Sequence, residues 1–191
     1  MYKAVFNGKE ITVETKVSLF SPNEADRGTL SMLRHVGFVP GMKLLDLGCG
    51  AGIVSLAACC FGLLPQDIVM TDIDPVASSV SLENMERNGF GGVLVLTGDA
   101  LSEVPGNDYD LILSNPPYHT DFKVAKTFIE KGFNRLKIGG KIYMVTKRKD
   151  WYKNKLISVF GGVKIYEDDG YFVFEAEKRN MSYASKKRPK V

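Results

Sequence analysis

From residue 43 onward the chain alternates between short apolar runs and segments with helical spacing, and this alternation constrains the fold more than any other feature. Residues 43–47 form a short apolar strand. Residues 53–61 are apolar nearly all round, which predicts a buried helix. A strand follows at 68–71. A helix then opens at Pro75 and stops at Asn88-Gly89. Strands are expected at 93–97 and 109–113. Phe122, Ala125, Phe128, Ile129 and Leu136 fall at helical spacing, and Gly139-Gly140 is read as the end of that helix. Residues 141–146 return to a strand, and 149–160 to a helix. Residues 163–166 and 171–175 make an antiparallel pair around Asp168-Asp169-Gly170. Strands that alternate with helices imply an α/β fold, with a mostly parallel sheet covered on both faces. Ahead of this core, residues 2–6 and 10–15 read as a β-hairpin around Asn7-Gly8. Residues 26–35 read as a helix, broken by Phe38-Val39-Pro40-Gly41.

A chain of 191 residues suits one domain with a substantial core. We assign residues 1–178 to that domain, with 1–36 forming the hairpin and helix, and 179–191 to a basic tail. The apolar stretches are too short to span a bilayer, and the N-terminus has no long apolar signal core. The cysteines, Cys49, Cys59 and Cys60, form no CxxC pair and join no histidine cluster. This argues against a disulfide framework and against a metal site, and it fits a reducing cytoplasm. From Lys178 onward there are six basic residues (Lys178, Arg179, Lys186, Lys187, Arg188 and Lys190) and no acid. They outweigh the net charge of +3, so the body is mildly acidic. Such an end is either a solubilising tail or a contact for a polyanion.

The strongest local signal is Leu44-Leu45-Asp46-Leu47-Gly48-Cys49-Gly50-Ala51-Gly52, set between a strand and a helix. Open parallel sheets bind ligands at that position. No Gly-Lys-Ser/Thr follows, which disfavours a P-loop. Asp46 would oppose a pyrophosphate, but suits a ligand carrying an ammonium and a sulfonium. Asp72, at the end of the second core strand, can accept hydrogen bonds from two ribose hydroxyls. Ile73 can pack on an adenine face. Asp99, in Thr97-Gly98-Asp99-Ala100, can accept from an adenine amine. For Asp72 and Asp74 the competing role is capping of the helix that starts near Pro75. Asp74 is the better cap, and Asp72 the better ligand contact.

These residues resemble the pattern of class I S-adenosylmethionine-dependent methyltransferases between residue 43 and about 146. The resemblance implies a Rossmann-like seven-stranded sheet, mostly parallel with an antiparallel C-terminal strand, plus the short N-terminal hairpin. It implies S-adenosyl-L-methionine as cofactor, without a metal. Asp46, Gly48, Cys49 and Gly50 would lie at the methionine and ribose end. Asp72 and Ile73 would serve the ribose and adenine, and Asp99 and Ala100 the adenine.

Leu113-Ser114-Asn115-Pro116-Pro117-Tyr118 follows the fourth core strand. Its prolines bar helix and central strand, so the loop is stiff. Pro116 also forces Asn115 toward extended geometry. The Asn115 side chain and the Pro116 carbonyl then offer fixed acceptors, and Tyr118 offers a flat face for stacking. An amine conjugated to a carbonyl or aromatic system is a poor nucleophile. Two acceptors on its N–H groups favour a pyramidal nitrogen, and stacking aligns it for in-line displacement. The tetrapeptide resembles the Asn/Asp-Pro-Pro-Tyr/Phe motif of amino methyltransferases, which act on adenine, guanine or protein glutamine. Asn115, Pro116, Pro117 and Tyr118 are therefore the candidate catalytic residues, with Asn115 also beside the cofactor.

Phe20-Ser21 and Asp26-Arg27-Gly28-Thr29, leading into a helix with Leu30 and Leu33, resemble the opening segment of small-domain ribosomal RNA guanine-N2 methyltransferases. In that group this segment folds over the cofactor, and the chain looks like a short single-domain form. His119 also resembles them, as a side chain that shapes the substrate pocket. Thr146-Lys147-Arg148-Lys149-Asp150-Trp151 and Asp169-Gly170-Tyr171 match more loosely. Lys147, Arg148 and Lys149 offer cations for RNA phosphates, while Trp151 belongs either to the core or to an unstacked base. A flipped-out guanine of ribosomal RNA, free or in a ribosomal particle, is the expected substrate. The alternatives are adenine N6 in RNA or DNA, protein glutamine, or a non-catalytic RNA-binding or partner-binding protein.

Overall fold

A computed structural model describes residues 1–16, 24–99, 101, 103–117 and 122–184. The chain opens with the antiparallel pair β1 (Tyr2–Phe6) and β2 (Lys9–Val13). Asn7 and Gly8, both at positive φ, make the tight turn between them. Helix α1 (Arg27–Leu33) follows. The core then runs β3 (Leu44–Leu47), α2 (Ile53–Cys60), β4 (Ile68–Asp72), α3 (Pro75–Arg87), β5 (Leu94–Thr97) and β6 (Tyr109–Ser114). It continues through α4 (Lys123–Arg135), β7 (Leu136–Thr146), α5 (Lys149–Phe160), β8 (Lys164–Asp168) and β9 (Tyr171–Glu177).

The main sheet has seven strands in the order β5-β4-β3-β6-β7-β9-β8. Strands β3 to β7 pair in parallel, and β9 runs antiparallel to both its neighbours. This is the Rossmann-like methyltransferase sheet that the sequence implies. The residue alternation of each strand sorts the core into two layers. Leu44, Ile68, Leu111, Tyr143 and Val173 face α1, α2 and the N-terminal hairpin. Leu45, Val69, Ile112, Met144 and Phe174 face α4 and α5. Both faces are covered, as a parallel sheet requires.

One expectation is corrected. Gly139-Gly140 does not end a helix, because β7 begins at Leu136 directly after α4 and the glycines lie inside the strand. The pairing of β6 with β7 shifts register there, between Tyr109 and Leu111. A Cβ on Gly140 would stand 2.7 Å from the Tyr109 carbonyl oxygen, so only glycine lets the bulged strand pass this close. At the far end of the assigned domain, residues 178 and 183 both pack on α4. Lys178 is 5% exposed, donates from Nζ to the Leu136 carbonyl at 2.7 Å and sits over the Phe133 ring. Tyr183 packs edge-on against Phe133, and its hydroxyl donates to the Glu130 carbonyl at 2.8 Å. Lys186, Lys187, Arg188 and Lys190 lie outside the described residues.

The hairpin is tied to the core by two asparagines one turn apart on α3. Asn84, fully buried, accepts from the Glu14 N–H at 2.8 Å and donates to the Glu14 and Ala51 carbonyls at 2.8 and 2.9 Å. Asn88 accepts from the Thr12 N–H and donates to the Thr12 carbonyl. The two amides thus act as a strand edge for the segment that leaves β2. Asn84→Ala would strand three backbone groups, and unfolding in urea should show a loss of about 2–4 kcal/mol. A loss under about 0.5 kcal/mol would refute the clamp.

Candidate functional site

Strand β3 lies between β4 and β6, and the order of the sheet reverses there. Helix α2 leaves β3 toward one face, and α4 follows β6 on the other, which opens a crevice at the carboxyl ends of the strands. The crevice is a cavity of about 420 Å³. That volume is enough for a nucleoside-sized ligand.

The glycine turn forms one wall, with Asp46, Gly48, Cys49 and Gly50 all lining the cavity. The N–H groups of Gly48 and Cys49 donate to the Thr71 carbonyl at 2.8 and 3.1 Å, so the turn is fastened to β4. Gly48 and Gly50 have positive φ; a Cβ on Gly48 would come within 3.9 Å of the Phe128 ring, and one on Gly50 would meet nothing within 4 Å, so it is the backbone conformation that favours glycine here. Asp46 is 1% exposed, and Ser55 Oγ donates to its Oδ2 at 2.7 Å. Burial pushes this carboxyl up to about 7, against the pull of the Ser55 hydrogen bond. Cys49 is buried with Sγ 3.6 Å from Ser81 Oγ, and burial raises its thiol well above the ordinary range. It packs the wall and is not a nucleophile.

Asp72 and Ile73, at the end of β4, and Asp99, after β5, line the opposite side. Asp72 Oδ2 accepts from the Gly50 N–H, and Oδ1 from the Asp74 N–H, both at 3.0 Å. The carboxylate therefore braces the glycine turn while keeping lone pairs for a ligand. Asp74 caps α3 by accepting from the Val76 N–H at 2.8 Å, the role its sequence position suggests. Ile73 stands 71% exposed at the cavity mouth, where a flat ring could cover it.

Asn115, Pro116 and Pro117 close the cavity at the end of β6. Ser114 Oγ donates to the Leu47 carbonyl at 2.8 Å and locks the ends of β6 and β3 together. Asn115 Nδ2 donates to Asp26 Oδ1 at 2.6 Å and to Thr29 Oγ1 at 2.9 Å. Its Oδ1 is buried and has no hydrogen-bond partner among the described residues. An unpaired buried acceptor in a cavity wall is costly unless a ligand's N–H or O–H completes it.

The sequence points to less than the whole site. Asp26 and Thr29 line the cavity and hold Asn115, although their resemblance-based role was only to cover a cofactor. Tyr2 also lines it, so the hairpin is part of the site. Burial, and next the nearby Asp26, push the Tyr2 hydroxyl up to about 12. Val124 and Phe128 of α4 form the remaining apolar wall, and only their helical spacing is visible in sequence. Ala100, Tyr118 and His119, together with Phe20 and Ser21, fall outside the described residues. Lys147, Arg148 and Lys149 are exposed and do not line the cavity. Each lies over an aromatic ring: Lys147 over Tyr171, Arg148 over Phe122 and Lys149 over Phe172, at 4.8 to 5.1 Å. Trp151 stacks on Phe122 at the edge of the core, and Tyr152 is buried, which removes it as a face for an RNA base.

Because folding raises the Asp46 carboxyl to about 7, the folded chain holds this proton more tightly than the unfolded one. Stability from this group is therefore full below about pH 4 and declines as pH rises to about 7, by roughly 1.4 kcal/mol per unit. Asp46→Asn mimics the neutral form. Its melting temperature should match wild type below about pH 4 and exceed it near pH 8. An offset that does not change with pH would contradict the assigned cause.

Over residues 10–175 the sequence matches the family described as methyltransferase small domain. The ribosomal RNA small subunit methyltransferase C of Pseudomonas entomophila is 32% identical over 166 residues, covering 84% of this chain and 49% of that protein. That of Psychromonas ingrahamii is 30% identical, covering 90% and 49%. The chain thus spans about half the length of these relatives. Among solved structures, the T. thermophilus 16S rRNA N2 methyltransferase RsmC, in complex with AdoMet and guanosine, superposes with a TM-score of 0.84 at 26% identity. That alignment covers 93% of this chain and 50% of RsmC. A methyltransferase from Pyrococcus furiosus shares the fold at a TM-score of 0.67 and 19% identity, and the alignment spans 90% of it. With its sheet order, glycine turn and match over residues 10–175, this chain belongs to the methyltransferase small-domain family.

Proposed function

We propose that the chain is an S-adenosylmethionine-dependent N-methyltransferase whose substrate is an exocyclic amine, guanine N2 of ribosomal RNA. The observation that carries this reading is the buried, unpartnered Asn115 Oδ1 in the wall of the cavity that the glycine turn also lines. The cavity fits the cofactor in charge as well as in size. Asp46, Asp72 and Asp99 supply carboxylates, which suit a ligand with an ammonium, a sulfonium and a ribose. A cation beside Asp46 would hold that carboxyl in its charged form. Bound there, S-adenosylmethionine supplies a methyl group made electrophilic by its sulfonium.

The residues of this chain do the rest. Asn115 Oδ1 accepts one N–H of the amine, which turns the nitrogen lone pair toward the methyl carbon. The rigid Pro116-Pro117 loop fixes that acceptor. Held by the carboxylates of Asp46, Asp72 and Asp99, the cofactor would supply the methyl group to that nitrogen and would keep the S–C electron pair on its sulfur. The nitrogen then sheds a proton to water, so no strong base is required. Support for guanine comes from the guanosine in the RsmC complex, and support for ribosomal RNA from the relatives' names. Support for RNA comes from the exposed Lys147, Arg148 and Lys149 at the start of α5.

Methylation of unmodified ribosomal RNA with labelled cofactor, followed by nucleoside analysis, should yield N2-methylguanosine. Label in N6-methyladenosine or in protein would sink the guanine assignment. Asn115→Ala should lower turnover by about 100-fold or more, with affinity for S-adenosylhomocysteine changed only a few-fold. Substantial residual turnover would move the chemistry elsewhere.

A further inference from the structure

We propose that Asp26, together with Thr29, is a positioning residue: it fixes the orientation of the Asn115 amide and strengthens its oxygen as the acceptor for the reacting amine. This rests on the role given to Asn115 above. An asparagine side chain is nearly symmetric in shape, so packing alone does not decide which end faces the cavity. A flipped amide would present N–H groups to the N–H groups of the substrate, and the acceptor would be lost.

Hydrogen-bond chemistry decides the orientation. Asp26 Oδ1 accepts from the Thr29 N–H at 2.8 Å, from Thr29 Oγ1 at 3.3 Å and from Asn115 Nδ2 at 2.6 Å. Thr29 spends its hydroxyl proton on Asp26, so Thr29 Oγ1 meets Asn115 Nδ2 with a lone pair, at 2.9 Å. Both neighbours of that nitrogen are thus acceptors, and only the amine end of Asn115 can face them. Oδ1 is left on the side away from Asp26 and Thr29, buried and without a partner among the described residues, in a side chain that lines the cavity. A hydrogen bond from Nδ2 to a carboxylate also draws the amide toward its charge-separated form. This places more negative charge on Oδ1, where the amine N–H must bind.

The local sequence is built for this contact. Asp26 is the N-cap of α1, so the helix start fixes its carboxylate. A Cβ on Gly28 would stand 2.8 Å from the Tyr171 ring and 3.0 Å from Asp26 Oδ1, so glycine seats α1 close enough for the bond to Asn115. A plain capping role would be met equally well by asparagine. The positioning role would not, because it depends on the charge facing Asn115.

The test uses the full chain, unmodified small-subunit ribosomal RNA and heavy-nitrogen asparagine labelling. In the wild type the Asn115 side-chain amide, assigned by its loss in Asn115→Ala, should show shifted and exchange-protected NMR signals. In Asp26→Ala the shift and protection should disappear. Turnover should fall by about 10- to 100-fold, while KM for RNA and affinity for S-adenosylhomocysteine stay within about threefold. Asn115→Asp alone sets two carboxylates against each other and should be nearly inactive. Adding Asp26→Asn removes that repulsion and should restore at least about tenfold of the lost turnover. Unchanged Asn115 amide signals in Asp26→Ala would overturn the inference. So would a double variant no better than Asn115→Asp. If the wild type methylates no guanine, the amide signals still decide the inference, and the failure belongs to the function proposed above.

Discussion

Strand β3 is hydrogen-bonded on both edges, to β4 and to β6, and the rest of the site follows from that placement. A central parallel strand cannot turn back within the sheet. The chain must leave its carboxyl end through a tight turn and cross over one face, while the chain leaving β6 crosses the other. The space between the two exits is the cavity. Its walls are the carboxyl ends of the strands and the residues just beyond them: Asp46 and Gly48 to Gly50 from β3, Asp72 and Ile73 from β4, and Asn115 to Pro117 from β6. Rigid strand ends fix all three sets, and cross-links between neighbours tighten them. Thr71 holds the glycine turn, Asp72 braces Gly50, and Ser114 reaches the Leu47 carbonyl. Precision at the site is thus inherited from the sheet ladder and not from the loops themselves.

The roof has a different origin. Tyr2, Asp26 and Thr29 come from the first thirty residues and cover a crevice lined by residues between 46 and 128. They are held by side chains, not by the ladder. Asn84 and Asn88 carry the segment after β2, and Asp26 with Thr29 meets Asn115. Among the described residues this arrangement leaves Asn115 Oδ1 buried without a partner in the cavity wall. Polar satisfaction everywhere else in the amide is what makes that one vacancy specific.

The strands, their order of appearance and the glycine turn are legible in the sequence because each is a local pattern. Apolar runs have strand length, Asn7-Gly8 and Asp169-Gly170 sit at hairpin turns, and Asp74-Pro75 opens a helix. Gly139-Gly140 misleads because the same pair can stop a helix or relieve a bulged strand. Only the close Tyr109 carbonyl, thirty residues away, decides between them. At the site, the carboxylates and the Asn-Pro-Pro loop stand out as residue types. The bond from Asn115 to Asp26 spans 89 positions and leaves no periodic trace. Tyr2 is invisible for the same reason, as one aromatic in a short strand.

Helix α1 rests on the β8–β9 hairpin at several points. Arg34 pairs with Asp168, His35 stacks on Tyr166 at 4.1 Å, and Gly28 presses on the Tyr171 ring, over which Lys147 also lies. Helix α1 and the last hairpin of the sheet are therefore packed as one unit, with the Tyr171 ring against the start of the helix. Tyr171 behaves as a fulcrum: a ring displaced from its seat would tilt α1, and with it the carboxylate two residues before Gly28. The alignment of an acceptor in the middle of the chain is thereby set from both of its ends.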